Sequence, residues 1–392
     1  MAWDGKHSNF AAVLAASGQT WGTEQAIGAG SGIAVPSIDF PFGSPAAKAE
    51  ETTDTPFPAY MENGNVDLIE FSPELALRAT SSTSKSPVDQ MLMAALYNAT
   101  TATQQGLTAA YLHTGTISSN HAIAYLPTRW FTLARRDEKS SGYAYLSIPS
   151  ALVAGFTLSS AAGEALKFTP KLSCNKVVKD SATNGATQWG AVTYLDKARK
   201  YQHHHLSTNS ESGVWFAKSA SEGSAPVTFD ATTLVHPSEL TIEYDPKLSG
   251  YHTDSRYSEQ PEGDGMGSIK VTLKFPKMLD AFYAGILADL KNWESDTESY
   301  YHLRARWTWG SVIASTYYPY IEVGLPRLRP VEAKFAVEAG KRIPLELTFE
   351  ALAPTAYSHL PTCFQYVGGA SGTAFDPIYI AIMNQTSTAL IA

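Results

Sequence analysis

The chain has 392 residues, 44% of them hydrophobic and only 17% charged, with a net charge of −8. One hydrophobic core rarely extends past about 250–300 residues, so two domains are expected, 1-200 and 201-392, and the low charge leans toward β structure with large contact surfaces. The acidic balance argues against a grip on nucleic acid, which needs phosphates neutralised by Lys and Arg, but is compatible with a channel through which DNA slides.

In chain order, the N-terminus Met1-Ala2-Trp3-Asp4-Gly5-Lys6 lacks the apolar core of a signal peptide. Residues 1–100 hold 11 acidic and 4 basic side chains, so most of the excess charge lies there. Gly43 to Gly64, rich in Pro, Ala, Thr and acids, reads as a long loop. A short strand from Leu75 to Arg78 precedes a helix that Ser86 caps and Pro87 opens, with Val88, Met91, Leu92, Ala95 and Leu96 on one face. The Thr/Ala/Gln stretch Asn98 to Leu107 follows, then a strand carrying Arg129-Trp130. After Pro149, Leu152, Ala154, Phe156 and Leu158 alternate, Gly163 turns, and Leu166, Phe168 and Leu172 alternate again, with Lys167, Thr169 and Lys171 between them. Alternation on both sides of a glycine turn marks an antiparallel hairpin with one buried face.

The second half runs in the same order. Ser249 to Gly267 reads as a polar, acidic loop, Ile269 to Phe275 as a strand, and Pro276 opens a helix with Leu279, Phe282, Tyr283, Ile286 and Leu290 at helical spacing. Arg306-Trp307 then echoes Arg129-Trp130, 177 positions on, and Tyr320, Pro326, Ala339 and Gly340 echo Tyr143, Pro149, Ala162 and Gly163 at the same offset. Val331, Ala333, Phe335 and Val337 alternate before Gly340; Ile343, Leu345, Leu347 and Phe349 alternate after it, with Glu332, Lys334, Glu346, Thr348 and Glu350 opposite. Ile378 to Met383 reads as a final alternating strand. Each half therefore has the order strand, helix, strands, hairpin, as one α+β unit duplicated and diverged would. The prolines that open the two helices lie 189 apart, so the first copy is 12 residues longer between helix and hairpin, and Asn98 to Leu107 is the place expected for the extra length.

No catalytic, metal or cofactor site is expected. His203-His204-His205 are adjacent and point in different directions, whereas ligands on a strand sit two apart and on a helix three or four apart. Gly263-Asp264-Gly265-Met266-Gly267 precedes a strand, whereas a phosphate cradle follows a strand and opens a helix. Asp254, Glu259, Glu262 and Asp264 lack EF-hand spacing, and neither Ser31 nor Ser371 sits in a G-x-S-x-G elbow. Cys174 and Cys363 cannot build a disulfide framework or a cysteine-rich zinc site. No run approaches the roughly 18 apolar residues that cross a bilayer. Trp130 and Trp307, with Gly163 and Gly340, are expected to be core and turn positions of the repeat.

The residues Gln19-Thr20-Trp21-Gly22-Thr23, followed by Ile27-Gly28-Ala29-Gly30, resemble the opening of tail tube proteins of long-tailed phages. Ile343-Pro344-Leu345-Glu346-Leu347-Thr348-Phe349-Glu350-Ala351-Leu352-Ala353 resembles their last hairpin strand, and Phe156-Thr157-Leu158-Ser159 with Gly163-Glu164-Ala165-Leu166-Lys167 the matching hairpin of the first half. The resemblance implies an α+β, mostly β fold: two tandem tail-tube-type β-sandwich domains, each with a flanking helix and a long amphipathic hairpin. It implies a non-enzymatic virion protein, assembled in the host cytoplasm, whose rings stack into the tube through which DNA passes. With the unit present twice, three chains would make a ring of six units; a hexamer of chains is the alternative. The implied partners are further copies of the chain, a tape-measure protein, the tail terminator, the distal tail protein and DNA in transit, with no membrane. Phe156, Lys167, Lys171, Glu332, Lys334, Glu338, Arg342, Glu346 and Glu350 are the candidate subunit-contact or lumen residues, and a net negative lumen is expected to keep phosphates from sticking. The loops 43–64 and 249–267 and the N-terminal arm are expected to order when rings stack. Rival readings are a distal tail or tail-tip ring protein, a capsid-decorating protein, a tube component of a contractile machine, and a carbohydrate-binding or hydrolytic β-protein.

Overall fold

Side chains of an extended chain alternate between two faces, so a period-two apolar pattern gives each strand one face to bury. A computed structural model describes residues 9–16, 18–35, 40, 68–79, 83–96, 101–117, 129–195, 199–207, 210–219, 229–253, 259–263, 267–277, 280–291, 300–335, 343–353 and 377–391. Its first half contains β1 (Asn9–Leu14), β2 (Gly32–Ile33), β3 (Ile69–Phe71), β4 (Leu75–Ala76), α1 (Pro87–Ala94), β5 (Thr101–Gln104), β6 (Tyr111–Thr116), β7 (Trp130–Lys139), β8 (Gly142–Ala161), β9 (Lys167–Cys174), β10 (Val178–Lys179) and α2 (Ala186–Ala191). A 3-10 turn (His203–Ser207) leads to β11 (Gly213–Ser219), β12 (Leu234–Val235), β13 (Glu239–Asp245), β14 (Leu248–Ser249), β15 (Glu262–Gly263), β16 (Ser268–Phe275), α3 (Asp280–Lys291), β17 (Tyr300–Thr308), β18 (Tyr320–Phe335), β19 (Leu345–Ala351) and β20 (Tyr379–Asn384).

The protein is mostly β. All named strands except β14 and β15, which pair with each other, join one 18-stranded sheet. One arm runs β2–β1–β7–β8–β9, with β3 and β4 on the outer edge of β9 and β10 on β8. The other runs β12–β11–β17–β18–β19–β16, with β20 on β18. β13 joins the arms, pairing β8 on one edge and β16 on the other. The chain around residue 200 belongs to the first arm: Tyr201 is fully buried, takes a hydrogen bond on its carbonyl from the Leu166 N–H, and donates to the carbonyl of Leu77.

α1 starts as the sequence reads. Ser86 is extended, its hydroxyl accepts the Asp89 N–H, and Pro87 takes the first helical position, where a missing N–H costs nothing. α3 starts later than expected, at Asp280, because Pro276 and Lys277 form a bend after β16. The Thr/Ala/Gln stretch contributes β5, which pairs with β6, and β6 pairs with β20. β20 is buried along its whole length instead of alternating: Ile380 and Ile382 enter the main core, while Tyr379, Ala381 and Met383 pack with Ala110 and Tyr320 in a second cluster.

Trp130 and Trp307 are both buried, but they do not occupy matching places. Trp130 opens β7 opposite Leu152, whereas Trp307 lies near the end of β17 opposite Ile321. β7 and β8 are joined by Ser140 and Ser141 alone, β17 and β18 by the connection Trp309 to Pro319, so equal spacing in sequence is not equal position in the sheet. Gly163 makes the expected turn at φ +85°. Gly340, Glu338 and Arg342 lie outside the described residues, as does the segment 43–64; the segment 249–267 is described in part and carries β15.

Candidate functional site

The most extended feature is the polar face shared by β9, β8, β13, β16, β19 and β18. Residues directly opposite in an antiparallel ladder share a face. One cross-strand row reads Glu239, Lys274, Glu346, Lys334. The next reads Ser159, Thr241, Thr272, Thr348, Glu332, with Lys167 opposite Ser159 on β9. A third reads Thr157, Glu243, Lys270, Glu350, Arg329. Acid and base alternate along the charged rows. Lys274 Nζ lies 2.9 Å from Glu239 and 3.9 Å from Glu346, and Lys334 lies 2.7 Å from Glu332. Lys171 reaches Asp245 at 3.7 Å, and Lys167 reaches Glu164 at 2.9 Å. The face is a near-balanced checkerboard of acid and base. Behind it Phe156, Leu158, Phe168, Leu240, Ile242, Val271, Leu273, Leu345, Leu347 and Phe349 are buried. Phe156 belongs to that core, in ring contact with Phe168 at 6.0 Å and Tyr244 at 5.7 Å, and is not a surface position.

The registers of the two arms correspond strand by strand. On β8 and β9, Ala151 faces Cys174, Val153 faces Leu172 and Leu158 faces Phe168, with a bulge between Val153 and Phe156. On β18 and β19, Leu328 faces Ala351, Pro330 faces Phe349 and Phe335 faces Leu345, each 177 residues on, with a bulge between Pro330 and Glu332. The outer edges agree: Phe71 and Leu75 face Leu172 and Phe168, as Val271 and Phe275 face Phe349 and Leu345. A further bulge recurs between Phe131 and Leu133 on β7 and between Tyr301 and Leu303 on β17. Bulges re-aim strands and are built features.

One place breaks the correspondence. β8 from Phe156 to Ala161 is covered by β13, with Ile242 opposite Leu158. Among the described residues no strand covers the matching stretch of β18. Leu158 is 1% exposed, while Phe335, on the same face of the other arm, is 50% exposed and Val331 54%. The alternation of Val331, Ala333 and Phe335 reads as a buried face in sequence; in the structure it is left half open.

Two polar clusters brace the sheet. Glu322 is fully buried and bonded by Arg304 (2.8 Å), Arg306 and the Tyr379 hydroxyl (2.7 Å). Burial works to raise its carboxyl, but the Arg306 and Arg304 guanidiniums outweigh it and hold it below the usual carboxylate range. His203, from the histidine run, donates from Nε2 to the carbonyl of Pro237 at 3.0 Å, so its Nδ1 accepts the Ser160 hydroxyl at 2.9 Å. His205 Nδ1 accepts the Gln202 N–H at 2.9 Å, and burial pushes that ring down to about 4. These histidines are structural. Burial also pushes the Cys174 thiol up to about 12, keeping it protonated. Among the described residues no group of three or more His, Cys, Asp or Glu could hold a metal ion, and no helix is long and apolar enough to cross a membrane. No protein-family model matches the chain, and no curated protein matches it.

Proposed function

We propose that the chain is a structural subunit of a phage tail tube, in which each polypeptide carries two copies of one tube unit and closes with its siblings into a ring. The observation that carries this reading is the matched register of the two arms, bulges included, within one continuous sheet. Two units of the same topology, already joined edge to edge in one chain, are an arc that further copies can extend. Head-to-tail contacts about a rotation axis close into a ring, and a second non-closing contact stacks rings into a filament.

On this reading the checkerboard face lines the bore. Alternating Glu and Lys neutralise each other locally, so a passing phosphate backbone meets no run of cations to bind. The tape-measure protein occupies the bore before DNA, and the terminator and distal tail protein meet the tube ends, as the family resemblance implies; the setting is the virion tail. Three chains give six units, and a hexamer of chains would give twelve. Electron microscopy of the purified protein tests the reading: hollow tubes or stacked rings support it, and solid particles or monomers at high concentration contradict it.

A further inference from the structure

The groove beside Trp309 is cationic at one end and apolar at the other. We propose that it binds an acidic segment of a partner protein, with carboxylates at its Arg199–Lys200 end and an apolar side chain at its Val312–Ile313 end.

Just past the end of β4, the chain meets the segment that precedes the 3-10 turn. The Ala79 N–H donates to the Arg199 carbonyl at 3.0 Å, and the Tyr201 N–H donates to the Leu77 carbonyl at 3.0 Å. Arg78 therefore stands directly opposite Lys200 in an antiparallel bridge. Like charges directly opposite repel, so this pairing works against the bridge, and an anion seated beside it removes the repulsion. Arg199 adds a third cation, its guanidinium 5.3 Å over the Trp309 ring. Stacking engages the face of a guanidinium, while the N–H fork lies in its plane, where it can hold both oxygens of a carboxylate. Arg78, Arg199, Lys200, Gln202 and Trp309 line a hollow of about 460 Å³. The described residues that line it include no carboxylate. Arg78 already has an interaction inside the chain, and the exposed Arg199 and Lys200 are the groups offered to a ligand.

Arg199 and Trp309 also line a second hollow of about 420 Å³, so the two adjoin. Its far wall is Val312, Ile313 and Pro319, held in place by backbone bonds. The Ile313 N–H donates to the Tyr317 carbonyl at 2.9 Å, and the Gln385 side chain donates to the Ile313 carbonyl at 3.0 Å. Val312 is 46% exposed, so this end offers apolar surface. A nucleic-acid strand needs cations along its path, and here they stop at Trp309. The net charge of −8 also repels a polyanion. A short peptide with one or two carboxylates followed by an apolar residue satisfies both halves.

Fluorescence anisotropy with the full-length protein tests the site. The probe is a labelled synthetic peptide of two glutamates followed by two leucines, compared with the same peptide carrying glutamine for glutamate and with a labelled oligothymidylate. The acidic peptide should bind, more weakly as salt rises, and at least about tenfold more tightly than the glutamine peptide. Arg199→Ala/Lys200→Ala should lose at least about tenfold in affinity, Val312→Ser should lose less, and Lys277→Ala, an exposed lysine outside the groove, should keep the parental affinity. If the double variant loses the parental circular dichroism spectrum, Lys200→Gln is read in its place and should also weaken binding. No binding of the acidic peptide, equal binding of the glutamine peptide, or parental affinity in the Arg199 and Lys200 variants overturns the inference. Tighter binding of oligothymidylate, lost in the same variants, assigns the groove to a phosphate backbone and overturns it as well. None of these outcomes bears on the tube reading, which hollow tubes would support whether or not the groove binds.

Discussion

Trp307 donates its indole N–H to the Ser160 hydroxyl at 3.1 Å, tying β17 of one arm to β8 of the other. Ser160 passes its own proton on to His203 Nδ1, and His203 Nε2 donates to Pro237, so a buried relay crosses the junction that β13 makes. Every member is satisfied only while His203 is neutral.

Replacing Ser160 with Ala leaves the Trp307 N–H and the His203 Nδ1 without their partner. Each stranded group costs about 1–3 kcal/mol, so Ser160→Ala should lower the urea midpoint clearly while leaving the circular dichroism spectrum unchanged. A midpoint within error of the parent would contradict the relay.

Glu322 is the anchor of the second arm, beneath Arg304 and Arg306. Removing one partner of a buried ion pair costs about 3–5 kcal/mol, because the remaining charge stays buried. Glu322→Ala should therefore be far more damaging than Lys334→Ala, whose ion pair with Glu332 is exposed and screened by solvent. Denaturant unfolding of both variants checks the ranking, and equal losses would contradict it.

Acid should weaken the fold before the carboxylates titrate. Burial lowers the affinity of His113, His203 and His302 for a proton and takes His205 down to about 4. The unfolded chain takes up those protons near pH 6.5 and the folded chain does not until lower pH, so stability is lost as pH falls from about 6.5 toward 4. Below that, Glu322 adds the opposite-signed group: its lowered carboxyl stabilises above the unfolded value and loses that contribution as pH falls through its folded one. Urea midpoints at pH 7.5, 6.5 and 5.5 should decline in order, and His205→Asn should flatten the decline; a level profile would contradict the assignment.

Gly155 sits at φ +129° where the strands β8 and β13 meet, and a Cβ there would lie 2.5 Å from the Tyr244 carbonyl oxygen. Both the conformation and the space exclude a side chain. Gly155→Ala should loosen the β8–β13 ladder, seen as faster amide exchange within Phe156–Ala161 and Glu239–Tyr244, whereas Gly142→Ala, with open space around it, should leave that ladder protected. Unchanged exchange in Gly155→Ala would contradict the close approach.

The alternating hairpins, the Ser86 cap and the strand before each helix were legible in sequence because each depends on local spacing. The register of Trp130 and Trp307 was not, because the connection Trp309 to Pro319 displaces one strand against its apparent repeat. The checkerboard was half legible: Glu346, Glu350, Lys334 and Glu332 stood out on their hairpin, but Glu239, Glu243, Lys270 and Lys274 join them only through cross-strand pairing. The exposure of Val331 and Phe335 could not be read from a pattern that is the same in both hairpins; the difference lies in which strand reaches the edge.

Cryo-electron microscopy of the assembled protein at a resolution that separates strands tests the central claim most directly. The account expects a hollow ring in which each chain contributes two arcs of matching topology, with the row Glu239, Lys274, Glu346 and Lys334 facing the bore. A reconstruction with no bore, or with that row turned outward and away from the axis, would contradict it.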